Sequence, residues 1–205
     1  MIICLEGING AGKTTLATAL AQRWSAEGRS ARLHDPIALT QFGQQVRTAI
    51  MATTDLSVDA ETLAFVSARL HGASVLDRSI GTTAQDLLIL ERWQGAVVAY
   101  GRVAGTNPFL LRSLEAVLTG ALPIDQTFLI DIPGAIAARR LARQGDPNRF
   151  ETSGSAYLER VRRQYLTWAG PRHTPVLDGT RPPGRLTAEL FSLINPVRTV
   201  KGRPA

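Results

Sequence analysis

Short, wholly apolar runs alternate along this chain with longer stretches in which apolar residues recur every three or four positions. The first run, Ile2-Ile-Cys-Leu5, enters a glycine-rich segment ending at Thr15, and Leu16, Ala17, Leu20, Ala21 and Trp24 follow at helical spacing. This predicts strand, loop, helix. A second strand is expected over 30–34, closed by Asp35-Pro36 because proline holds the residue before it extended. Helical spacing then predicts helices over 39–51 and 59–75, the latter capped by Asp59 and carrying Phe65 and Arg69 one turn apart. The run Asp86-Leu-Leu-Ile-Leu-Glu-Arg-Trp93 lacks polar alternation, so it predicts a strand buried on both faces with a carboxylate at its tip. Residues 127–132 repeat that pattern and 174–178 give a short last strand, with helices at about 107–119, 134–143, 155–168 and 186–194.

Strands alternating with helices imply an α/β fold with a mostly parallel central sheet covered by helices on both faces. At 205 residues the chain has room for one domain with a sizeable core, expected over 1–196. The glycine- and proline-punctuated polar stretch 142–154 lies between two arginine-bearing helices and reads as a mobile lid, about 139–154 overall, while 197–205 reads as a flexible, frayed tail. There is no internal repeat and no low-complexity segment.

No run approaches a membrane span and the chain starts directly with a strand, so a soluble, unexported, cytoplasmic protein without membrane contact is expected. The single cysteine, Cys4, falls in the first strand and reads as a small buried residue, which excludes a disulfide or a thiolate zinc site. His34, His71 and His173 have no ligand spacing, and Trp24, Trp93 and Trp168 read as core residues. A net charge of +6 raises the question of nucleic acid, yet no run of five or more basic residues occurs, so no nucleic-acid partner is expected. The excess suits a cleft that gathers two phosphorylated ligands.

The chemistry concentrates in Gly7-Ile-Asn-Gly-Ala-Gly-Lys-Thr-Thr15. Glycines let successive backbone N–H groups turn toward an anion, the following helix adds its positive end, Lys13 can reach β- and γ-phosphates, and Thr14 can hold a magnesium ion. The expected ATP-binding residues are therefore Gly7, Asn9, Gly10, Ala11, Gly12, Lys13, Thr14 and Thr15. Only Lys13 and Lys201 are lysines, the other basic residues being arginines, so an arginine-rich composition has left a compact ammonium at this position. In a P-loop NTPase fold the carboxylate at a neighbouring strand tip lies beside the magnesium ion, which makes Glu91 the second candidate metal residue. An enzyme that phosphorylates a phosphate must clamp two anions with cations while excluding water. Arg92, directly after Glu91, is the leading clamp; Arg47, Arg69, Arg139, Arg140, Arg143 and Arg149 are the others.

In this order and spacing the chain resembles the thymidylate kinase family from residue 1 to about 180. Glu6-Gly-Ile-Asn-Gly-Ala-Gly-Lys-Thr14 is similar to the family's phosphate loop. Ala64-Phe-Val-Ser-Ala-Arg-Leu-His71 is similar to its helix in which phenylalanine stacks on thymine and arginine bonds to it. Glu91-Arg-Trp93 followed by Ala99-Tyr-Gly101 resembles its Asp-Arg-Tyr strand end and Ala-Tyr-Gln-Gly. Pro123-Ile-Asp-Gln-Thr127, Arg149-Phe-Glu151 and Val161-Arg-Arg-Gln-Tyr165 match further motifs. The resemblance implies a homodimeric, ATP- and Mg2+-dependent kinase with Lys13, Arg92, Arg140 and Arg143 as catalytic residues. Gly10 stands where some members carry a catalytic arginine, which implies that lid arginines serve instead. The acceptor, a nucleoside monophosphate, would be held by Asn9, Pro36, Arg47, Phe65, Arg69, Arg92, Val97 and Tyr100, with Tyr100 crowding the sugar 2′ position.

The chain also departs from that pattern. Asn9 replaces a carboxylate beside the sugar, Glu91 replaces aspartate, and Ala96 and Val97 replace a polar pair near the base, which leaves no side-chain hydrogen bonds there. Three readings therefore stand: phosphorylation of dTMP or a close pyrimidine relative, the same chemistry on a modified nucleotide or other phosphorylated metabolite, and a P-loop ATPase switch that binds proteins. With lysine only at 13 and 201, a guanine-reading Asn-Lys-x-Asp motif is impossible.

Overall fold

The structure, a computed structural model, describes residues 1–77, 87–143 and 154–195. Five strands form one sheet in the order β2-β3-β1-β4-β5, and every neighbouring pair is parallel. They are β1 (Ile2–Glu6), β2 (Ala31–His34), β3 (Leu87–Glu91), β4 (Gln126–Asp131) and β5 (Val176–Asp178). The helices are α1 (Lys13–Ala26), α2 (Gln41–Ala52), α3 (Val58–Asp77), α4 (Gln94–Ala104), α5 (Pro108–Ala121), α6 (Gly134–Ala142), α7 (Gly154–Ala169) and α8 (Pro183–Ile194). The expected α/β class with a parallel sheet is what the chain forms. The lid residues 144–153, with Arg149, and the tail 197–205 lie outside the described residues.

Alternation along the two central strands sorts the core into two layers. Ile3, Leu5, Leu87 and Ile89 face Leu16, Leu20, Trp24, Trp168 and Phe191 on one side. Ile2, Cys4, Leu88 and Leu90 face Val66, Leu76, Trp93 and Leu118 on the other. Because both faces are buried, the strands read as unbroken apolar runs, and a one-residue slip would exchange the two layers.

Helix α4 was not predicted, and its composition explains why. Gly95, Ala96, Val97, Val98, Ala99 and Gly101 are all buried, with Val97 in one core layer and Ala96, Val98 and Ala99 in the other, so no polar stripe marks it. Two glycines and three valines also weaken intrinsic propensity. Its stop signal was legible, since Gly105 closes it at φ 90°. A second correction concerns the start of α3: Ser57 Oγ accepts from the Ala60 N–H at 3.3 Å, whereas Asp59 lies inside the helix and accepts from the Asn107 N–H at 2.9 Å. Asp59 therefore ties α3 to the beginning of α5 instead of capping its own helix.

The turn after β2 is wedged between α2 and α3 through two glycines. A Cβ on Gly43 would lie 2.0 Å from the Ile37 carbonyl oxygen, and one on Gly72 would lie 2.0 Å from that of Pro36. Replacing a mid-helix glycine by alanine ordinarily adds about 0.5–1 kcal/mol of stability, but backbone oxygens cannot retreat as a flexible side chain can, so the clash dominates. Gly72→Ala is expected to lower the free energy of unfolding by about 1–3 kcal/mol in a denaturant titration. A gain in stability would show the wedge to be loose.

Candidate active site

The phosphate loop runs from Glu6 to Lys13 at the carboxyl end of the central strand. Gly7, Gly10 and Gly12 have φ of 143°, 76° and 88°, in the region that disfavours a side chain. Space excludes one as well: a Cβ on Gly7 would stand 2.5 Å from the Ile130 oxygen, and one on Gly10 2.8 Å from the Ala137 oxygen. Gly12 precedes α1 without any side-chain cap, so the first N–H groups of that helix are left to an anion. The Lys13 nitrogen donates to the carbonyls of Gly7 at 3.1 Å and Ile8 at 2.9 Å, with only 6% of the residue exposed. Burial, and then the charge of Arg92, draw its pKa down to about 7, against the pull of Glu91, Glu6 and Asp35.

A cleft of about 380 Å³ opens from this loop between α2, α3 and α4. On its lining the Thr14 hydroxyl donates to Glu91 Oε2 at 2.9 Å, joining the two residues expected to hold magnesium. A hydroxyl and a carboxylate are hard oxygen donors, and magnesium takes few protein ligands when phosphates and water complete its shell, so the pair fits that ion. Among the described residues no group of three or more His, Cys, Asp or Glu forms a metal cluster.

Arg92 follows Glu91 with φ 67°, unusual for a residue with a side chain. Its Nη1 donates to the Tyr165 hydroxyl at 3.0 Å and its Nη2 to Asn9 Oδ1 and, at 3.4 Å, to the Tyr100 hydroxyl. Tyr100 in turn donates to Asn9 Oδ1 at 2.9 Å and accepts from the Asn9 N–H at 3.2 Å. Burial alone would weaken the Arg92 charge, but the oxygens of Tyr100, Tyr165 and Glu6 overcome it and raise the guanidinium above its usual pKa.

Further along the cleft Phe65 and Arg69 stand one helical turn apart, as expected, with the guanidinium carbon 6.0 Å from the ring centre. Arg69 is 6% exposed and its Nε has no hydrogen-bond partner among the described residues. Burial lowers its pKa, Asp35 and Glu6 opposing the effect. Arg47 pairs with Asp35 at 3.4 Å at the rim. The α4 wall presents Ala96 and Val97, apolar as the sequence implied. Pro36 does not line the cleft: it is buried against Gly72, and its neighbours Asp35 and Ile37 face the ligand space. Gly7 and Ala11 likewise shape the loop from behind.

Of the three lid arginines within the described residues, Arg139 is exposed and Arg140 reaches the loop itself. Its Nη1 donates to Gly10 O at 3.3 Å and Ala11 O at 3.5 Å, and its Nη2 to Gly179 O at 2.9 Å. Arg143 is exposed at the C-cap of α6. The structure thus brings Asn9, Gly10, Gly12, Lys13, Thr14, Thr15, Arg47, Phe65, Arg69, Glu91, Arg92, Val97 and Tyr100 to one cleft. Sequence reasoning missed Asp35, Tyr157, Tyr165 and Glu6. Glu6 was visible as part of the loop motif, but nothing in its position announced what it bonds.

A family model described as thymidylate kinase matches residues 5–190. The chain is 32% identical to the thymidylate kinase of Bordetella petrii over 93% of its own length and 92% of the relative's. It is 31% identical to the thymidylate kinase of Deinococcus radiodurans, covering 95% of this chain and 96% of that one. With the thymidylate kinase of Pseudomonas putida it shares 32% identity over 89% and 90%.

The lysine environment has a consequence for stability. Lys13 titrates near 7 when folded and in the ordinary lysine range, around 10.5, when unfolded. Between those values the unfolded chain binds the extra proton, so ligand-free stability should rise as pH increases from about 7 toward 10. Lys13→Met should flatten that rise in urea titrations at several pH values. Parallel profiles for the two proteins would show that Lys13 titrates normally.

Proposed function

Because the chain belongs to the thymidylate kinase family, and so is an ATP-dependent nucleotide kinase that converts dTMP to dTDP, we propose a division of labour within the cleft. The phosphate loop, from Gly7 to Thr15, takes the ATP phosphates on its inward N–H groups and on the positive end of α1. Lys13 follows the transferring γ-phosphoryl group. Thr14 and Glu91 hold Mg2+, which neutralises phosphate charge when bound. Arg92 clamps the acceptor phosphate, since two of its nitrogens are already aimed by fixed oxygens. Arg140 fixes the backbone of the loop, and Arg143 supplies lid charge to the transition state.

The observation that carries this reading is that Lys13 and Arg92 line one cleft, near enough for the Arg92 charge to weaken that of Lys13. A buried lysine beside a half-buried arginine is unfavourable until phosphates arrive between them. Phe65 would stack on the base and Arg69, a pure donor, would bond a base carbonyl. A coupled ADP-release assay over a panel of nucleoside monophosphates tests the whole reading: turnover with dTMP supports it, and ATP hydrolysis unaffected by any monophosphate would sink it.

One observation favours a wider acceptor range. Ala96 and Val97 offer no hydrogen bond to the base, and apolar walls discriminate by only about 10- to 200-fold where paired polar groups reach 10⁴ or more. dUMP and pyrimidines with apolar substituents should therefore be accepted within that smaller margin.

We also propose a cytoplasmic homodimer. No described helix is long and apolar enough to cross a membrane. Phe42, Leu63, Val75, Phe109 and Val117 leave exposed apolar surface on α2, α3 and α5.

Two substitutions examine the acceptor side. Arg92→Lys should raise the KM for dTMP by about 10-fold or more, because a point charge cannot replace a two-pronged phosphate contact. Unchanged KM would remove the clamp. Ala96→Ser with Val97→Asn should increase selectivity for dTMP over the other pyrimidine monophosphates, and wild-type selectivity already of several orders of magnitude would contradict the wider range.

A further inference from the structure

Glu6 closes the central strand and is wholly buried. Its Oε1 accepts from the Trp93 N–H at 2.7 Å and the Ala96 N–H at 3.3 Å, and its Oε2 accepts from the Tyr165 hydroxyl at 3.1 Å. Trp93 is the N-cap residue of α4 and makes no side-chain cap of its own. The carboxylate thus caps that helix from more than eighty residues away in sequence. Arg92 is pinned from both sides of the same group: its backbone by the N–H of the next residue on Oε1, and its guanidinium by the Tyr165 hydroxyl bound to Oε2. Leu5 O, one residue before Glu6, accepts the Arg92 N–H at 3.0 Å. The space is fitted to the acid, since a Cβ on Gly95 would stand 2.9 Å from the Glu6 carboxyl.

We propose that Glu6 is a positioning residue for phosphoryl transfer: it holds Arg92 in its left-handed backbone conformation and aims its guanidinium into the acceptor half of the cleft, through the α4 N-terminus and Tyr165. This rests on the reading of Arg92 as the acceptor-phosphate clamp. A carboxylate is needed because the site gathers Lys13, Arg69 and Arg92, and a buried negative charge favours the protonated form of each before any ligand arrives. Glutamine would keep the size and one acceptor oxygen. It would present an amide donor to Tyr165, whose hydroxyl would lose its acceptor.

Steady-state kinetics of the full chain test this with Glu6→Gln, Arg92→Gln and the double variant. Glu6→Gln is expected to raise the KM for dTMP about 10- to 100-fold, the range for losing a hydrogen bond to a charged group. The KM for ATP should change less than about 3-fold, the split expected when binding of one substrate is lost. In the Arg92→Gln background the further change should fall below about 3-fold, because the residue through which Glu6 acts is gone. Equal rises in both KM values, or the full effect persisting without Arg92, would overturn the proposal. An unchanged dTMP KM in Arg92→Gln alone would remove the clamp reading and this proposal with it. An undisturbed dTMP KM in Glu6→Gln beside a raised one in Arg92→Gln would overturn the positioning role and leave the clamp standing. Should Glu6→Gln fail to fold, Tyr165→Phe cuts the side-chain half of the link. A 3- to 10-fold rise confined to dTMP is then expected, and no rise counts against the proposal.

Discussion

A carboxylate removed from water at the end of the central strand sets the terms for everything around it. An isolated buried charge of this kind is costly by several kcal/mol, and it persists only where every oxygen is met by donors. Glu6 meets that condition with two backbone N–H groups and a tyrosine hydroxyl. Those donors come from the β3–α4 junction and from α7, so satisfying one side chain fixes where two distant segments stand relative to the phosphate loop. The strain of a left-handed Arg92 is held by the same contacts, which agrees with the general finding that unusual backbone persists where the surroundings over-determine it.

How much of this could be read in advance depended on whether the constraint was local. The glycines of the phosphate loop were legible because each answers a demand of its own backbone. The buried strands were legible because both faces need apolar residues. Phe65 and Arg69 were legible as neighbours because helical spacing places them on one face. Tyr165 is 73 residues from Arg92 and 159 from Glu6, and no periodicity joins them. Helix α4 failed to register for the opposite reason: it is buried on several sides, and the signal that identifies a surface helix is the contrast between its faces. The wedging glycines Gly43 and Gly72 were not legible, because what demands each is the backbone of Ile37 or Pro36 passing against it.

The cleft divides its polarity unevenly. Around the phosphate loop and Arg92 nearly every side chain is charged or hydrogen-bonded, and the bonds among Asn9, Tyr100 and Arg92 form a closed circuit that needs no ligand to hold its shape. Toward α4 the wall becomes Ala96 and Val97. Preorganised dipoles are effective where charge develops, and shape alone is a weak discriminator. On the proposed reading the arrangement is therefore demanding about phosphate position and permissive about the base, and Arg69 is the buried donor further along the cleft.

Charge balance explains why one lysine sits among so many arginines. Without nucleotide, Lys13, Arg69 and Arg92 crowd a region from which water is largely excluded, and their mutual repulsion has to be relieved. An arginine cannot release its proton at any ordinary pH, whereas a lysine can when burial and a neighbouring cation act together. Lys13 is drawn down to about 7 while Arg92 is held firmly charged by Tyr100, Tyr165 and Glu6. Of the two cations it is thus Lys13 whose charge is weakened and Arg92 whose charge is reinforced. On the proposed division of labour, the fixed charge belongs to the acceptor-phosphate clamp and the weakened one to the phosphate loop.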